Sequence, residues 1–351
     1  MSILVVKIGS SVIAPSGVIN NACLNQIIGD IEKVIANGTK VVVVTSGAVA
    51  SGVKELGLSK RPSKIEELQA IASVGQIILM NHFFKGFSKY RRKCAQLLLT
   101  WDDFENRERY LNVKDTLRKL LSEGIVPVIN ENDAVSNEEI KFGDNDKLSA
   151  LVANLIEADT LLILSDVKGL YSGDTLVRNV YDVDTEAVPC IRPHKKDSLT
   201  RGGMSSKIDA ARISAAAGIC MVIASGSMKN IIQKVAAREP AECTIFHPAA
   251  EKVEAKKRWI SFVKKEKGKL VIDSGAEKAV AADGKSLLLP GIISIEGDFH
   301  KGDAVVLYNQ CGSCIAKGIV GYSAEALRHG KNVKQEVIHR DSLVIHAAVQ
   351  S

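Results

Sequence analysis

The sequence predicts an α/β domain with a mainly parallel sheet covered by helices on both faces, followed by a smaller β-rich domain. Three observations predict it. Through residue 225, short runs of Val, Ile and Leu alternate with longer stretches of helical spacing, the pattern of successive βαβ units. The short runs are apolar throughout rather than alternating, as in strands buried on both faces. After a basic segment, the elements become short and are separated by Gly-containing turns, which suits a small β-rich unit.

The elements follow in order. Ile3–Val6 reads as the first strand; only five residues separate Met1 from Lys7, too few for the apolar core of a secretory signal. Further strands are expected at Lys40–Val44, Ala95–Leu99, Ile125–Ile129, Leu161–Leu164 and Cys220–Ala224. Helical spacing occupies Asn21–Ala36, Lys64–Phe84, Asp102–Leu121, Lys147–Leu155 and Lys207–Ala217. The domain expected from this pattern spans 1–250. Residues 251–267 read as a basic, partly helical linker. Beyond it, 268–348 carries turn signals at Asp283-Gly284, Pro290-Gly291, Glu296-Gly297-Asp298, Gly302-Asp303 and Gly312-Ser313, with one short helix near Ala276–Ala281.

Composition narrows the class. With 46% hydrophobic and 25% charged residues, the chain is neither disordered nor collagen-like nor a disulfide scaffold. No apolar run reaches the ~18 residues of a membrane span, because Glu157 and Asp159 interrupt the longest, Leu148 to Leu164. Seven cysteines, an odd number scattered along the chain, fit a reducing compartment. A soluble cytoplasmic protein that meets no membrane is expected. Most of the net charge of +6 sits in 251–269, which holds eight Lys/Arg and three Glu. Nucleic acid is one partner for such a segment; a solvated linker accounts for it more simply, since aromatics are only 5% and stacking platforms are scarce.

The polar punctuation at the strand ends carries the chemistry. Lys7-Ile8-Gly9-Ser10-Ser11, Thr45-Ser46-Gly47-Ala48, Asn130-Glu131-Asn132-Asp133, Ser165-Asp166 and Ser225-Gly226-Ser227 each follow a strand. In an open parallel sheet the ligand crevice lies at the strands' carboxyl ends, where small residues let backbone N–H groups approach a phosphate. Loops after strands have this composition without any ligand, so it is five of them in one domain that points to a site. No GxxxxGK[ST] or GxGxxG is present.

Two lysines are candidates. Lys7 ends an apolar strand, where an unpaired ammonium is costly; a solvated edge strand is the alternative. Lys207 closes Arg201-Gly202-Gly203-Met204-Ser205-Ser206-Lys207, where the glycines allow close backbone approach and the lysine adds a point charge; an ordinary N-capped helix reads equally well. Asp146 in Gly143-Asp144-Asn145-Asp146 serves either as a helix cap or to order the positive groups, with Asn145 and Asp133 holding a polar substrate. The histidines lack ligand spacing, so no metal site is expected. Cys311 and Cys314 form a CxxC at a turn, more in keeping with a hairpin than with a redox pair.

Taken together, VVKIGSSV (5–12), VVVVTSGAVASG (41–52), ERYLNVKDTL (108–117), GIVPVINENDAV (124–135), FGDNDKLSALVA (142–153), LLILSDVKGLY (161–171) and GGMSSKIDAA (202–211) resemble the amino acid kinase family, most closely its glutamate-phosphorylating members. Residues 268–348 resemble a PUA domain, an RNA-associated β-barrel. The resemblance implies a three-layer α/β/α sandwich with a small C-terminal barrel. It implies transfer of the ATP γ-phosphoryl group, with Mg²⁺, to the side-chain carboxylate of L-glutamate, giving L-glutamyl 5-phosphate at the first step of proline biosynthesis.

By the same resemblance, Lys7 and Lys207 flank the phosphoryl group and Asp146 organises them. Ser46, Asp133 and Asn145 contact glutamate. Lys7, Ser165, Asp166, Arg201, Gly202, Gly203, Met204, Ser205, Ser206 and Lys207 contact the nucleotide. Proline as a feedback inhibitor, RNA at the PUA-like region and a homo-oligomer, dimer or tetramer, are further expectations. Arg201 and Ser165 each stand where the family commonly has Thr. Sister kinases acting on acetylglutamate, aspartate or UMP share the lysines and glycines, and INENDAV with GDND favours glutamate over them. An RNA-binding protein on a kinase scaffold is the reading from another class.

Overall fold

The structure, a computed structural model, describes residues 2–15, 18–136, 145–191, 203–330 and 336–345. Its contacts divide the chain into two units, Met1–Lys252 and Val253–Ser351.

In the first unit the elements run β1 (Ile3–Ile8), α1 (Ser10–Ile13), α2 (Asn21–Ala36), β2 (Lys40–Thr45), α3 (Ala48–Glu55), α4 (Ile65–Ser88), β3 (Cys94–Leu99), α5 (Trp101–Glu105), α6 (Arg107–Ser122), β4 (Val126–Glu131), α7 (Asn145–Ile156) and β5 (Thr160–Ser165). A small hairpin, β6 (Tyr171–Ser172) and β7 (Thr175–Leu176), leads to β8 (Asn179–Val180). Then come α8 (Met204–Ala216), β9 (Cys220–Ser225), α9 (Ile231–Ala236) and β10 (Cys243–Phe246). The sheet has eight strands in the order β3-β4-β2-β1-β5-β9-β10-β8. The six from β3 to β9 are mutually parallel, as the unbroken apolar runs require. β10 joins antiparallel to β9, an addition that the sequence pattern does not announce.

Period two along β1 separates the two faces. Leu4, Val6 and Ile8 share an apolar cluster with Leu24, Ile28 and Ile31 of α2 and Leu79, Phe83 and Phe87 of α4. Lys7 turns the other way, toward α7, whose second residue it pairs with. Helix α2 forms because Leu24, Ile27, Ile28, Ile31 and Val34 recur on one face. Asn20 starts it by accepting from Ala22 N and Cys23 N. The helical stretch expected at 102–121 is two helices. Asn106 is extended (φ −82°, ψ 122°) and caps α6, accepting from Glu108 N and Arg109 N, so the break is a capping event inside a continuous periodic pattern.

Helices α3 and α4 touch backbone to backbone. A Cβ on Gly75 would lie 1.8 Å from Ala48 O, and one on Gly52 would lie 2.0 Å from Ile71 O.

The second unit runs α10 (Ala255–Phe262), β11 (Glu266–Ile272), α11 (Ser274–Glu277), β12 (Ile292–Gly297), β13 (Ala304–Tyr308), β14 (Cys314–Ile319), α12 (Ala324–His329) and β15 (Leu343–Ile345). Its sheet order is β12-β11-β13-β14-β15, wrapped on a separate core that includes Leu270, Phe299, Leu307, Ile315 and Ile338. The segment expected as a linker, 251–267, holds α10 and the start of β11. Arg258 and Ile260 of α10 are buried, and Lys317 of β14 donates to Ser261 O at 3.4 Å, so this helix belongs to the second unit. Among the described residues no helix is long and apolar enough to cross a membrane.

Candidate functional site

The strand order places a switch point at β1. The chain leaves β1 for β2 and the β4–β3 edge, then returns to β5 on the opposite side of β1. Beyond the carboxyl ends of such strands a crevice opens. Gly9 N donates to Leu164 O at 3.2 Å, stitching the end of β1 to that of β5. A Cβ on Gly9 would lie in ordinary van der Waals contact, 3.4 Å from Leu164 O and 3.8 Å from Lys7 Nζ.

Three charged side chains meet there. Lys7 Nζ lies 2.5 Å from Asp146 Oδ1, and Lys207 Nζ lies 2.9 Å from Asp146 Oδ2. Ser206 Oγ donates to the same Oδ2 at 3.1 Å. Relative exposures are 4% for Lys7, 0% for Asp146 and 6% for Lys207, so the group is withdrawn from water. Burial by itself pushes the Asp146 carboxyl up, but the two ammonium charges and their hydrogen bonds outweigh it and hold it well below the usual carboxylate range. The cluster therefore carries two positive charges against one negative. A net positive, desolvated pair of ammoniums at the end of a parallel sheet is a receptor for an anion rich in oxygen.

Beside it runs a row of buried amides. Asn145, adjacent to Asp146, donates from Nδ2 to Thr45 O and, at 2.8 Å, to Asn130 Oδ1. Asn130 Oδ1 also accepts from Glu131 N at 2.9 Å, while Asn130 Nδ2 donates to Gln76 Oε1 at 2.8 Å. Sequence reasoning missed Asn130 and Gln76. Asn130 stands inside INENDAV, the segment that favours glutamate, but nothing in the sequence singles it out from its neighbours there. Gln76 had a visible signal, being a polar residue in the buried stripe of α4, four residues after Ala72 and seven before Phe83.

The structure brings Lys7, Asn145, Asp146, Ser206 and Lys207 together. Ser46 and Asp133 are half-buried just past the ends of β2 and β4. Ser46 leads into Gly47, whose φ of 114° makes the turn into α3. Ser165 is buried and donates to the exposed Asp166 Oδ1 at 3.0 Å. Gly203 precedes α8, and Met204 and Ser205 form its first turn. Arg201 and Gly202 lie outside the described residues, as do Gly143, Asp144 and the basic stretch with His194, Lys195 and Lys196. Cys311 and Cys314 are free thiols in a hairpin whose Asn309 Oδ1 accepts from Cys311 N and Ser313 N.

The model of the amino acid kinase family matches residues 2–225, the stretch that supplies every residue of the cluster. The chain belongs to the amino acid kinase family. A PUA domain model matches residues 268–340, within the second unit. Curated relatives of nearly equal length include a glutamate 5-kinase of Caldanaerobacter subterraneus subsp. tengcongensis, 39% identical over 97% of each chain. Another, from Syntrophotalea carbinolica, is 42% identical over 97% of this chain and 96% of its own. The solved UMP kinase of Ureaplasma parvum aligns with 70% of this chain and all of its own at a TM-score of 0.49 and 14% identity, too slight a likeness to speak to chemistry. As a member of this kinase family, the chain transfers a phosphoryl group, with ATP as the donor.

Proposed function

We propose that the chain transfers the γ-phosphoryl group of ATP to the side-chain carboxylate of L-glutamate, forming L-glutamyl 5-phosphate and ADP, the step that opens proline biosynthesis. The observation that carries it is the buried Lys7–Asp146–Lys207 cluster at the sheet's switch point. The extended identity to glutamate 5-kinases supports the choice of acceptor.

The chemistry asks little of the protein. A carboxylate is already a nucleophile at neutral pH, so no general base is required. Its oxygen attacks the γ-phosphorus in line as the bond to the β-phosphate oxygen breaks. Catalysis is then positioning plus neutralisation of the oxygens that gather charge. Lys7 and Lys207 supply that neutralisation from two sides. Asp146 fixes their spacing without competing as a nucleophile, because both its oxygens are engaged. Ser46, Asp133 and Asn145 are assigned to the amino acid. Ser165, Asp166 and the 201–207 loop are assigned to the nucleotide. Mg²⁺ is assigned to the nucleotide phosphates, whose charge it would neutralise when bound.

Trapping with hydroxylamine tests this. ATP- and Mg²⁺-dependent hydroxamate is expected from glutamate and not from aspartate or N-acetylglutamate; product from another acid alone overturns the choice of acceptor. The seven free thiols favour a cytoplasmic setting. The PUA-type unit is assigned to RNA on its lysines, two of which, Lys264 and Lys269, lie over the rings of Trp259 and Tyr308. RNA binding that weakens steeply with salt is the expected result.

A further inference from the structure

The buried amides between α4 and α7 have only one possible orientation. At one end Glu131 N, which can only donate, fixes Asn130 Oδ1 as an acceptor. At the other end Thr45 O, which can only accept, fixes Asn145 Nδ2 as a donor. The bond between the two asparagines agrees with both anchors. Asn130 Nδ2 must then face Gln76, and Gln76 must present Oε1 to it.

Two consequences follow from this polarity. Both protons of Asn145 Nδ2 are engaged by protein, by Thr45 O and Asn130 Oδ1. Whatever polar contact the Asn145 side chain offers a ligand therefore comes from Oδ1, an acceptor. An acceptor selects a donor, and the donor on a free amino acid is its α-ammonium. Secondly, Gln76 is 8% exposed, and its Nε2 has no hydrogen-bond partner among the described residues. A buried amide half of whose capacity is unused is a poor packing choice on an apolar helix face. Its other half, Oε1, accepts from Asn130 Nδ2 and, with Glu131 N on the opposite atom of that amide, holds Asn130 against rotation.

We propose that Gln76 is a positioning residue for substrate choice. In a site whose acceptor is an amino acid, as proposed for this chain, it locks Asn130 and through it Asn145, so that Asn145 Oδ1 reads the substrate's α-ammonium. Gln76 lies on α4, two hydrogen bonds away from Asn145, and acts on specificity rather than on phosphoryl transfer.

The test compares L-glutamate with glutarate, the same dicarboxylate without the amino group, in the hydroxamate assay. The unaltered protein is expected to favour glutamate in kcat/KM on the order of 10²-fold or more, since a site built to bond a polar group rejects the analogue lacking it. Gln76→Met removes the acceptor at similar volume and is expected to cut that preference by about tenfold, with the KM for ATP nearly unchanged. Gln76→Glu keeps an acceptor oxygen for Asn130 and is expected to retain the preference within about threefold. Gln76→Ala, whose vacated space admits water, carries the same test should Gln76→Met fail to fold.

A role in packing alone would lower Tm and lower turnover of both acids together, leaving the ratio intact; that result overturns the proposal. So does a Gln76→Glu protein that loses the preference as fully as Gln76→Met. If the unaltered protein makes acyl phosphate from neither acid, the proposed function fails and this proposal with it. If it favours glutamate while Gln76→Met keeps the full ratio, the function stands and the proposal alone falls.

Discussion

The two ends of the same parallel strands are built on opposite principles. At the amino ends, polar groups are exposed and close locally. Lys40 N donates to Ser2 O, Val126 N to Lys93 O and Cys220 N to Asp159 O, and the exposed Asp159 carboxylate accepts from Ile3 N at 2.7 Å. At the carboxyl ends, Lys7, Thr45, Asn130, Glu131 and Ser165 are buried, and the helix partners of Lys7 and Asn130 come from α4 and α7. Desolvating a charge costs several kcal/mol, and an ion pair recovers it only with excellent geometry. The end that bears this cost is the one proposed to meet ligand; the other end merely finishes the sheet.

Asp146→Asn is the most severe way to break the contrast. It leaves two buried ammoniums without their carboxylate, and removing one partner of a buried pair costs about 3–5 kcal/mol. A matching fall in the urea midpoint and near-complete loss of hydroxamate formation are expected. Lys207→Ala separates chemistry from folding. Asp146 keeps Lys7, so the urea midpoint moves less than in Asp146→Asn, while kcat falls by about 10²–10³-fold.

Gly75→Ala probes the scaffold behind the carboxyl ends. Its Cβ would sit 1.8 Å from Ala48 O, so α3 and α4 must part. A loss of about 1–3 kcal/mol, read as a lower Tm, is expected together with a higher KM for glutamate. Asp159→Ala, at the amino ends, removes one bond to Ile3 N and is expected to cost about 0.5–1.5 kcal/mol with kcat unchanged. Loss of kcat in that variant would erase the distinction between the two ends.

The pH dependence sharpens the contrast further. The folded-state pKa of Asp146 is depressed by Lys7 and Lys207 against the opposing effect of burial. Its stabilisation is therefore fully present above the unfolded carboxyl value of about 4 and lost as pH falls below that toward the folded value. The stability gap between the unaltered protein and Asp146→Asn is expected to stay constant from pH 8 to 5 and to narrow only below about pH 4.

The strands and their order of appearance were legible because a strand buried on both faces must be apolar throughout. Lys7 and Asp146 were legible as candidates because charge at an apolar strand end or a helix start demands a partner. That Asp146 orders both lysines was one of two readings of its position and what the resemblance implied; spacing alone did not show it, since residues 7, 146 and 207 lie far apart in the chain. β10 was hidden because CTIF is too short to reveal its direction. The division at Asn106 was hidden because a capping asparagine inside a periodic pattern also reads as an ordinary helical residue. The amide row was the least legible: amide orientation depends on which backbone groups lie opposite, and Glu131 N and Thr45 O become neighbours of this row only in the assembled sheet.

The pairing of Lys7, Asp146 and Lys207 also dates the site in the life of the chain. During synthesis Lys7 emerges first, Asp146 after most of the first unit, and Lys207 only when α8 leaves the ribosome. Contacts so distant in sequence form slowly, because long loops must close before they are rewarded. A nascent chain shorter than about two hundred residues thus carries most of its sheet yet lacks the second ammonium. On the proposed roles of these residues, competence for phosphoryl transfer arrives late, when α8 docks, and a product truncated before α8 is expected to fall well short of full turnover.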